Sequence, residues 1–402
     1  MSAEDLIIIR GSGSVSALGL GSAPYGAPEA TFTARQLGSS AVAVAALPTA
    51  AEAALTALRQ QHPTYRQLDR TVLLALVAAR QAAAQAGWSG AEELASLAVS
   101  IGSSRGATGR VEQFHEQFLT EGTVPAAASP LTTLGNVASW VAYDASAHGS
   151  AALSHSSTCS SAFQALGNAL AWLRAGMAEL FLAGGAEAPL TDFTLAQMQA
   201  IGIYSPFAAA EWPCRPGAGA PSTFTLGEGA AVFALEKASY QTIQQQKLVR
   251  PNQPIFQLES VGFGFEAIGS KTGLSRDGQH FQTAMRQALR QANRRPDEVD
   301  ALVLHSPGTP AGDAAERAAI QAVFGENTPP LTSNKWLLGH TLGASAALSL
   351  DYALHLLTTQ TWPTAPFATD LAPAPTRPLR RLLINAAGFG GNAASALVSL
   401  MQ

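Results

Sequence analysis

One of only two cysteines in the 402 residues, Cys159, lies in the run Ser156-Ser157-Thr158-Cys159-Ser160-Ser161, between an apolar stretch and an amphipathic one. Upstream, residues 151–155 read as the end of a strand. Downstream, Phe163, Leu166, Leu170 and Leu173 recur at spacings of three and four, which predicts a helix lying on a core. A thiol at a helix start meets unpaired N–H groups and the positive end of the macrodipole; both favour the thiolate, a nucleophile. Equally, a free cysteine is often no more than a small buried hydrophobe. Cys159 and Cys214 alone make neither a disulfide framework nor a zinc signature, so any chemistry at Cys159 is nucleophilic or redox, with no metal.

Two histidines occupy comparable joints. His305 follows the apolar run 301–304 and opens His305-Ser306-Pro307-Gly308-Thr309, at a strand end on a turn. His340 lies between Lys335-Trp336-Leu337-Leu338-Gly339 and Thr341-Leu342-Gly343-Ala344, in a loop leading into a helix. Gly388-Phe389-Gly390-Gly391-Asn392 follows the apolar run 382–384. Taken singly, these read as a packing histidine, a helix-start histidine beside a solvated lysine, and an ordinary glycine turn. Taken together, they set a cysteine and two histidines at strand ends, where parallel α/β sheets hold their ligands.

The elements that must position these residues alternate along the chain. Strands are predicted at 6–9, 97–101, 180–183 and 230–235, the third closed by Gly184-Gly185, with Gly11-Ser12-Gly13-Ser14 as a tight turn after the first. Alanine-rich helices are predicted at 50–58 and 68–86, the second stopped by Gly87. Further helices fall at 111–119, with Phe114 and Phe118 on one face, and around 137–145. A Pro/Gly/Ala-rich loop covers 205–223, and the polar stretch 240–247 reads as a linker. Beyond it the same grammar repeats: strand 255–261, helix 281–292, strand 301–304, helix 313–324, helix 343–357, strand 381–385 and strand 394–400. This alternation predicts α/β layers with largely parallel sheets.

Composition narrows the function. Hydrophobic residues make up 47% and charged residues only 13%, about half the usual charged share, which implies a large core or a surface covered by a partner. A net charge of -4 without a Lys/Arg run excludes a nucleic-acid footprint. No apolar run approaches the ~20 residues of a membrane span, and Glu4 and Asp5 stand where a signal peptide carries positive charge, so a cytoplasmic location is expected.

With these motifs in place, the chain resembles the β-ketoacyl-acyl-carrier-protein synthases of the thiolase superfamily. The resemblance runs nearly end to end. It includes Gly-Ser-Val-Ser-Ala-Leu-Gly (13–19), Leu68-Asp69-Arg70, Ile101-Gly102-Ser103, the Cys159 stretch and Leu182-Ala183-Gly184-Gly185-Ala186-Glu187. Leu226-Gly227-Glu228-Gly229-Ala230, Gly312-Asp313-Ala314-Ala315-Glu316, residues 335–343 and the terminal Gly-Phe-Gly-Gly complete it. It implies an α/β, thiolase-like fold of two similar halves, 1–245 carrying the cysteine and 246–402 carrying both histidines, in a five-layer α-β-α-β-α arrangement. Cys159 stands at the acyl-accepting nucleophile, His305 and His340 at the two active-site histidines, and Lys335 at the lysine. Phe389 stands at the gate, its backbone N–H forming an oxyanion hole with that of Cys159; Thr309, Glu316 and Gly390 are supporting positions. The implied reaction is a decarboxylating Claisen condensation of an acyl thioester with malonyl-acyl-carrier protein, in fatty-acid or polyketide-type synthesis, with no cofactor. A homodimer is implied, with residues about 105–145 near the interface and the acyl tunnel, or a heterodimer with a related ketosynthase-like subunit.

Two departures stand out. His305-Ser306-Pro307-Gly308-Thr309 replaces the family's His-Gly-Thr-Gly-Thr, and Pro307 removes a backbone donor. The loop after Arg215-Pro216 lacks the family's Asp and Arg-Asp-Gly-Phe run, keeping only Phe224, so an ion-pair network is expected to be absent. The rivals are a non-catalytic chain-length-factor-like partner, against which Cys159 and the histidines count, and a Cys/His hydrolase, for which no orienting acid or amide is evident.

Overall fold

The computed structural model describes residues 5–22, 25, 31–88, 96–147, 150–249, 254–267 and 275–401. Its strands are β1 (Leu6–Ser16), β2 (Gly19–Leu20), β3 (Thr33–Leu37), β4 (Ser40–Val44), β5 (Leu97–Gly102), β6 (Ala152–His155) and β7 (Leu180–Glu187). They continue as β8 (Gly229–Ala238), β9 (Ile255–Phe265), β10 (Ala301–Val303), β11 (Leu331–Thr332), β12 (Arg381–Gly388) and β13 (Asn392–Met401). The helices are α1 (Thr49–Gln61), α2 (Arg70–Ala86), α3 (Thr108–Glu121), α4 (Ala128–Thr132), α5 (Asn136–Asp144), α6 (Ser161–Ala175) and α7 (Asp192–Ala200). After them come α8 (Tyr240–Val249), α9 (Gln279–Gln291), α10 (Pro310–Phe324), α11 (Lys335–Leu338) and α12 (Ser345–Thr359).

The first strand does not turn at Gly11-Ser12-Gly13-Ser14 as its sequence suggests; it runs straight through to Ser16. Those glycines serve packing. A Cβ on Gly11 would collide with the Ala82 carbonyl of α2, and one on Gly13 with that of Ala78, so bare backbone lets the helix lie directly on the sheet. The arrangement recurs in the second half, where Gly262 and Gly264 of β9 face the Ala284 and His280 carbonyls of α9.

This recurrence extends to topology. One set of strands runs in the order β6-β5-β7-β8-β1 and the other β11-β10-β12-β13-β9. Numbered within its own set of five, each order is third, second, fourth, fifth, first. The two sets meet only where β1 pairs with β9, at Ile8–Gln257 and Ile9–Phe256. The sheets are mixed rather than largely parallel. β5 is parallel to β6 and β7, and β10 to β11 and β12, whereas β8, β1, β13 and β9 join antiparallel. Single-sequence alternation cannot separate these cases, because the antiparallel strands are also buried on both faces and read as continuous apolar runs.

Five layers result. The first sheet packs outward on α1, α2 and α5. Its other face shares a core with the second sheet through α6 and α12, and the second sheet packs outward on α9 and α10. α12 is buried nearly all round; Leu348, Leu350, Leu354, Leu356 and Leu357 are at most 4% exposed. Each such burial contributes roughly 1.5–3 kcal/mol, which keeps this helix between sheets rather than at the surface.

Other departures from the sequence reading have local causes. The stretch 240–247 is not a linker but part of α8, which the expected boundary at 245/246 bisects; the Ser239 hydroxyl accepts from the Thr242 N–H, and Ile243 is buried against Ile8 and Ala238. With one apolar anchor the helix shows no readable stripe. β7 runs through Gly184-Gly185 to Glu187, because Gly184 must lie bare against the Ala231 carbonyl of β8. In α3, Phe114 packs on the core but Phe118 is 53% exposed.

Candidate active site

The loops leaving the parallel strands β5, β6 and β7 approach those leaving β10, β11 and β12, and a cavity of about 330 Å³ lies between them. Cys159, His305, Thr309, His340 and Phe389 all line it. Lys335 and Glu316 are buried outside that lining, and Gly390 lies in the turn beyond Phe389.

Cys159 ends a tight turn rather than opening a helix. Ser160 occupies the N-cap position of α6 without a side-chain capping bond, its hydroxyl donating to the Ser157 carbonyl, and Thr158 adopts a left-handed conformation (φ 51°) that a β-branched residue rarely takes. The turn is held by Ser161 Oγ, which accepts from the Ser157 N–H at 2.9 Å and donates to the Thr158 carbonyl at 2.5 Å. Gly388 is packed so closely that an added Cβ would stand 2.8 Å from the Cys159 backbone nitrogen. The Phe389 turn and the cysteine turn are therefore neighbours, and Thr158 Oγ1 lies 3.4 Å from the Phe389 carbonyl.

The expected depression of the thiol pKa is not found. Burial pushes the Cys159 thiol up to about 12, the Glu187 carboxylate pushes in the same direction, and Lys335 and Arg105 oppose both. Two residues ahead of the helix and 8% exposed, the sulfur loses more from desolvation than the helix end returns. Burial thus favours the neutral thiol at Cys159.

The two imidazoles are held edge to face, ring centres 5.4 Å apart at 85°. His305 is placed through its backbone: its N–H donates to Glu316 Oε1 at 2.8 Å, and the Ser306 N–H and hydroxyl donate to Glu316 Oε2 at 2.7 and 2.8 Å. Asn385 adds a bond to Oε1 at 3.1 Å. His340 is placed through its ring. The Leu342 N–H donates to Nδ1 at 3.1 Å, so the neutral ring carries its proton on Nε2. Burial, then the Lys335 charge, hold both histidines well below the usual imidazole range, so they are neutral donors. Lys335 Nζ lies 3.5 Å from the Leu304 carbonyl; burial lowers its pKa and Glu316 raises it.

Glu187 escaped the sequence reading as a site residue. It is fully buried at the end of β7 and accepts four bonds, from Ser103 Oγ (3.0 Å), Ser104 N–H (2.5 Å), Arg105 N–H (3.1 Å) and Gly343 N–H (3.0 Å). It thereby ties the turn after β5 to the loop after His340. Burial still raises it to about 7. A carboxylate closing an apolar strand was the available signal. Asp313 does similar work, accepting from Gly217 N–H at 2.8 Å and Gly308 N–H at 3.2 Å. The loop that lacks the family's charged run is tied by that bond and by others: the Thr223 N–H donates to the Gly308 carbonyl at 2.7 Å, and the Arg215 guanidinium lies 3.5 Å over the Phe207 ring. Pro307 lines the cavity. Among the described residues no His/Cys/Asp/Glu group is placed to hold a metal.

The model of the beta-ketoacyl synthase N-terminal domain matches residues 29–240, and that of the C-terminal domain matches residues 257–367. The chain belongs to the beta-ketoacyl synthase family. Among relatives of the chain, nodulation protein E of Rhizobium leguminosarum bv. trifolii is 30% identical over 295 residues, covering 70% of this chain and 68% of that protein. The 3-oxoacyl-[acyl-carrier-protein] synthase 2 of Staphylococcus aureus (strain COL) is 28% identical over 343 residues, 81% of each chain. In fold, the chain is similar to a solved complex of a type II PKS acyl-carrier protein with its ketosynthase bound to the hexaketide, with TM-score 0.84 at 21% identity over 99% of this chain and 100% of the other.

Proposed function

We propose that this chain is an active condensing acyltransferase, a β-ketoacyl-acyl-carrier-protein synthase working in fatty-acid or polyketide-type synthesis. The observation that carries this reading is one cavity lined by a cysteine and two neutral imidazoles, with the proton of His340 on Nε2.

In the first half-reaction the Cys159 sulfur attacks the carbonyl of an acyl-carrier thioester. The C–S bond to the carrier breaks, and the thiol proton leaves with the carrier thiolate. Negative charge on the carbonyl oxygen is met by the backbone N–H groups of Cys159 and Phe389. In the second, malonyl-carrier loses CO2 and the released electron pair forms an enolate, whose oxygen accepts from His305 and His340. The enolate carbon attacks the acyl-enzyme, a C–C bond forms, and the Cys159 sulfur leaves and regains a proton. Neutral histidines suit this step because they donate without trapping the enolate as its protonated form. Lys335 sets the field that keeps them neutral, Glu316 and Thr309 fix the His305 turn, and Gly390 serves as hinge for Phe389.

The halves 1–245 and 246–402 supply the nucleophile and the histidines respectively. A dimer, with a second copy or a related ketosynthase-like subunit, is supported by β6, which among the described residues pairs only with β5, and by the exposed Phe118, Leu119, Leu134 and Tyr143 between residues 105 and 145. The partner in turnover is an acyl carrier protein. Unbridged Cys159 and Cys214 suit the cytoplasm, and no helix of the described residues is long and apolar enough to cross a membrane.

Intact-mass measurement after incubation with an acyl-carrier thioester tests the reading. Wild type gains one acyl mass and Cys159→Ala gains none; an unmodified wild type refutes it.

A further inference from the structure

We propose that Arg105 makes this site selective for acyl groups that carry a carboxylate, in preference to plain alkanoyl groups; the inference rests on the ketosynthase reading above. Arg105 lines the same cavity as Cys159, in the turn after β5. Its backbone N–H is fixed to Glu187 Oε1 at 3.1 Å, and its guanidinium is held by one bond, Nη1 to Gln197 Oε1 at 2.6 Å. No carboxylate among the described residues forms an ion pair with it. Glu187 is occupied by its four donors and is not part of the lining, which contains no aspartate or glutamate. The wall beside it is apolar, formed by Met198, Ile201, Ile203 and Leu342.

A half-buried cation in such a wall discriminates by its environment. A saturated chain laid against it strips water from a guanidinium and returns no hydrogen bond, a net cost. A carboxylate returns charge-assisted bonds to the Nε and Nη2 donors that Gln197 leaves open, in the planar geometry that arginine matches. The carbon chain of the same substrate lies on the methionine, isoleucine and leucine side chains.

The test compares acylation rates of Cys159, by intact mass, with N-acetylcysteamine thioesters of hexanoic acid, adipic acid (mono-thioester) and 5-oxohexanoic acid. These probes lack the carrier's phosphate, and no malonyl donor is present, so neither of those anions produces the preference. Adipoyl is expected to react about 10–100-fold faster than hexanoyl, in line with a charged hydrogen bond. Arg105→Leu reverses the order, and Arg105→Lys keeps its direction with a clearly smaller ratio, because an ammonium supplies the charge without the planar fork. Equal rates for adipoyl and hexanoyl in wild type, an adipoyl rate no higher than that of 5-oxohexanoyl, or an unchanged ratio in an Arg105→Leu protein that still acylates, each overturn the proposal. Failure of wild type to take any of the three overturns the ketosynthase reading and this inference with it.

Discussion

The Leu342 N–H points at His340 Nδ1 from 3.1 Å, and Leu342 itself is held in a left-handed turn (φ 44°). The Leu342 N–H thus selects the imidazole tautomer, leaving Nε2–H as the proton the neutral ring can offer. His340→Ala is expected to acylate Cys159 at near the wild-type rate while losing CO2 from malonyl-carrier on the order of 100–1000-fold more slowly, as for loss of one oxyanion donor. Intact mass reads the first and CO2 release the second; normal decarboxylation refutes the assigned role. The same split is expected for His305→Ala.

Lys335 depresses both histidines. Removing its charge in Lys335→Met lets each imidazole protonate at higher pH. The low-pH limb of decarboxylation therefore moves upward in pH, because imidazolium replaces neutral donor over a wider range. A pH–rate profile that superimposes on wild type would show that the lysine acts only through packing.

At Glu187 the sign is opposite. Its carboxylate raises the Cys159 thiol, so Glu187→Gln lowers the pH at which iodoacetamide alkylation of Cys159 reaches half its maximum. The amide also brings an N–H₂ into a pocket built wholly of donors, and a stability loss of about 1–3 kcal/mol is expected from the mismatched bond. Chemical denaturation measures that loss independently of the alkylation profile.

Asp351 provides a stability test far from the chemistry. It is buried in α12, accepts from Ser14 Oγ at 2.9 Å, and burial lifts it to about 7. An acid raised above its unfolded value of about 3.9 contributes its full relative stability below that value and loses it as pH climbs towards the folded one. Stability from this group therefore falls between about pH 4 and 7, by a few kcal/mol. Asp351→Asn should flatten that part of the denaturation curve; an identical slope in the two proteins counts against it.

Most of the architecture was legible because buried helices and strands of this length leave strong periods: the helix read at 68–86 and stopped by Gly87 is α2, which starts at Arg70 with Asp69 accepting from the Thr71 N–H at 2.8 Å as its cap. What failed was information held by neighbours. Gly11 and Gly184 look like turn residues until the helix or strand packed against each is known, and only tertiary contact shows that they let neighbouring backbone lie close to a continuing strand. Cys159, His305, His340 and Phe389 were found through strand-end placement and family resemblance. Glu187 and Arg105 were passed over because their roles depend on loops 80–90 or more residues away, invisible to spacing. The helix-end argument for Cys159 failed for a related reason, since depth of burial is not written in local sequence.

The repeated strand order gives each chemical position a twin. The turn after the second strand of one half carries His305, and the turn after the second strand of the other carries Arg105. One strand order thus occurs twice, and under the roles proposed above the later copy would hold the electrons of the extender unit while the earlier copy would read the identity of the cargo. Under that division, the cation proposed to select the cargo can be exchanged in the earlier copy without touching the imidazoles of the later one, while the apolar wall is shared by both copies through Met198, Ile201, Ile203 and Leu342.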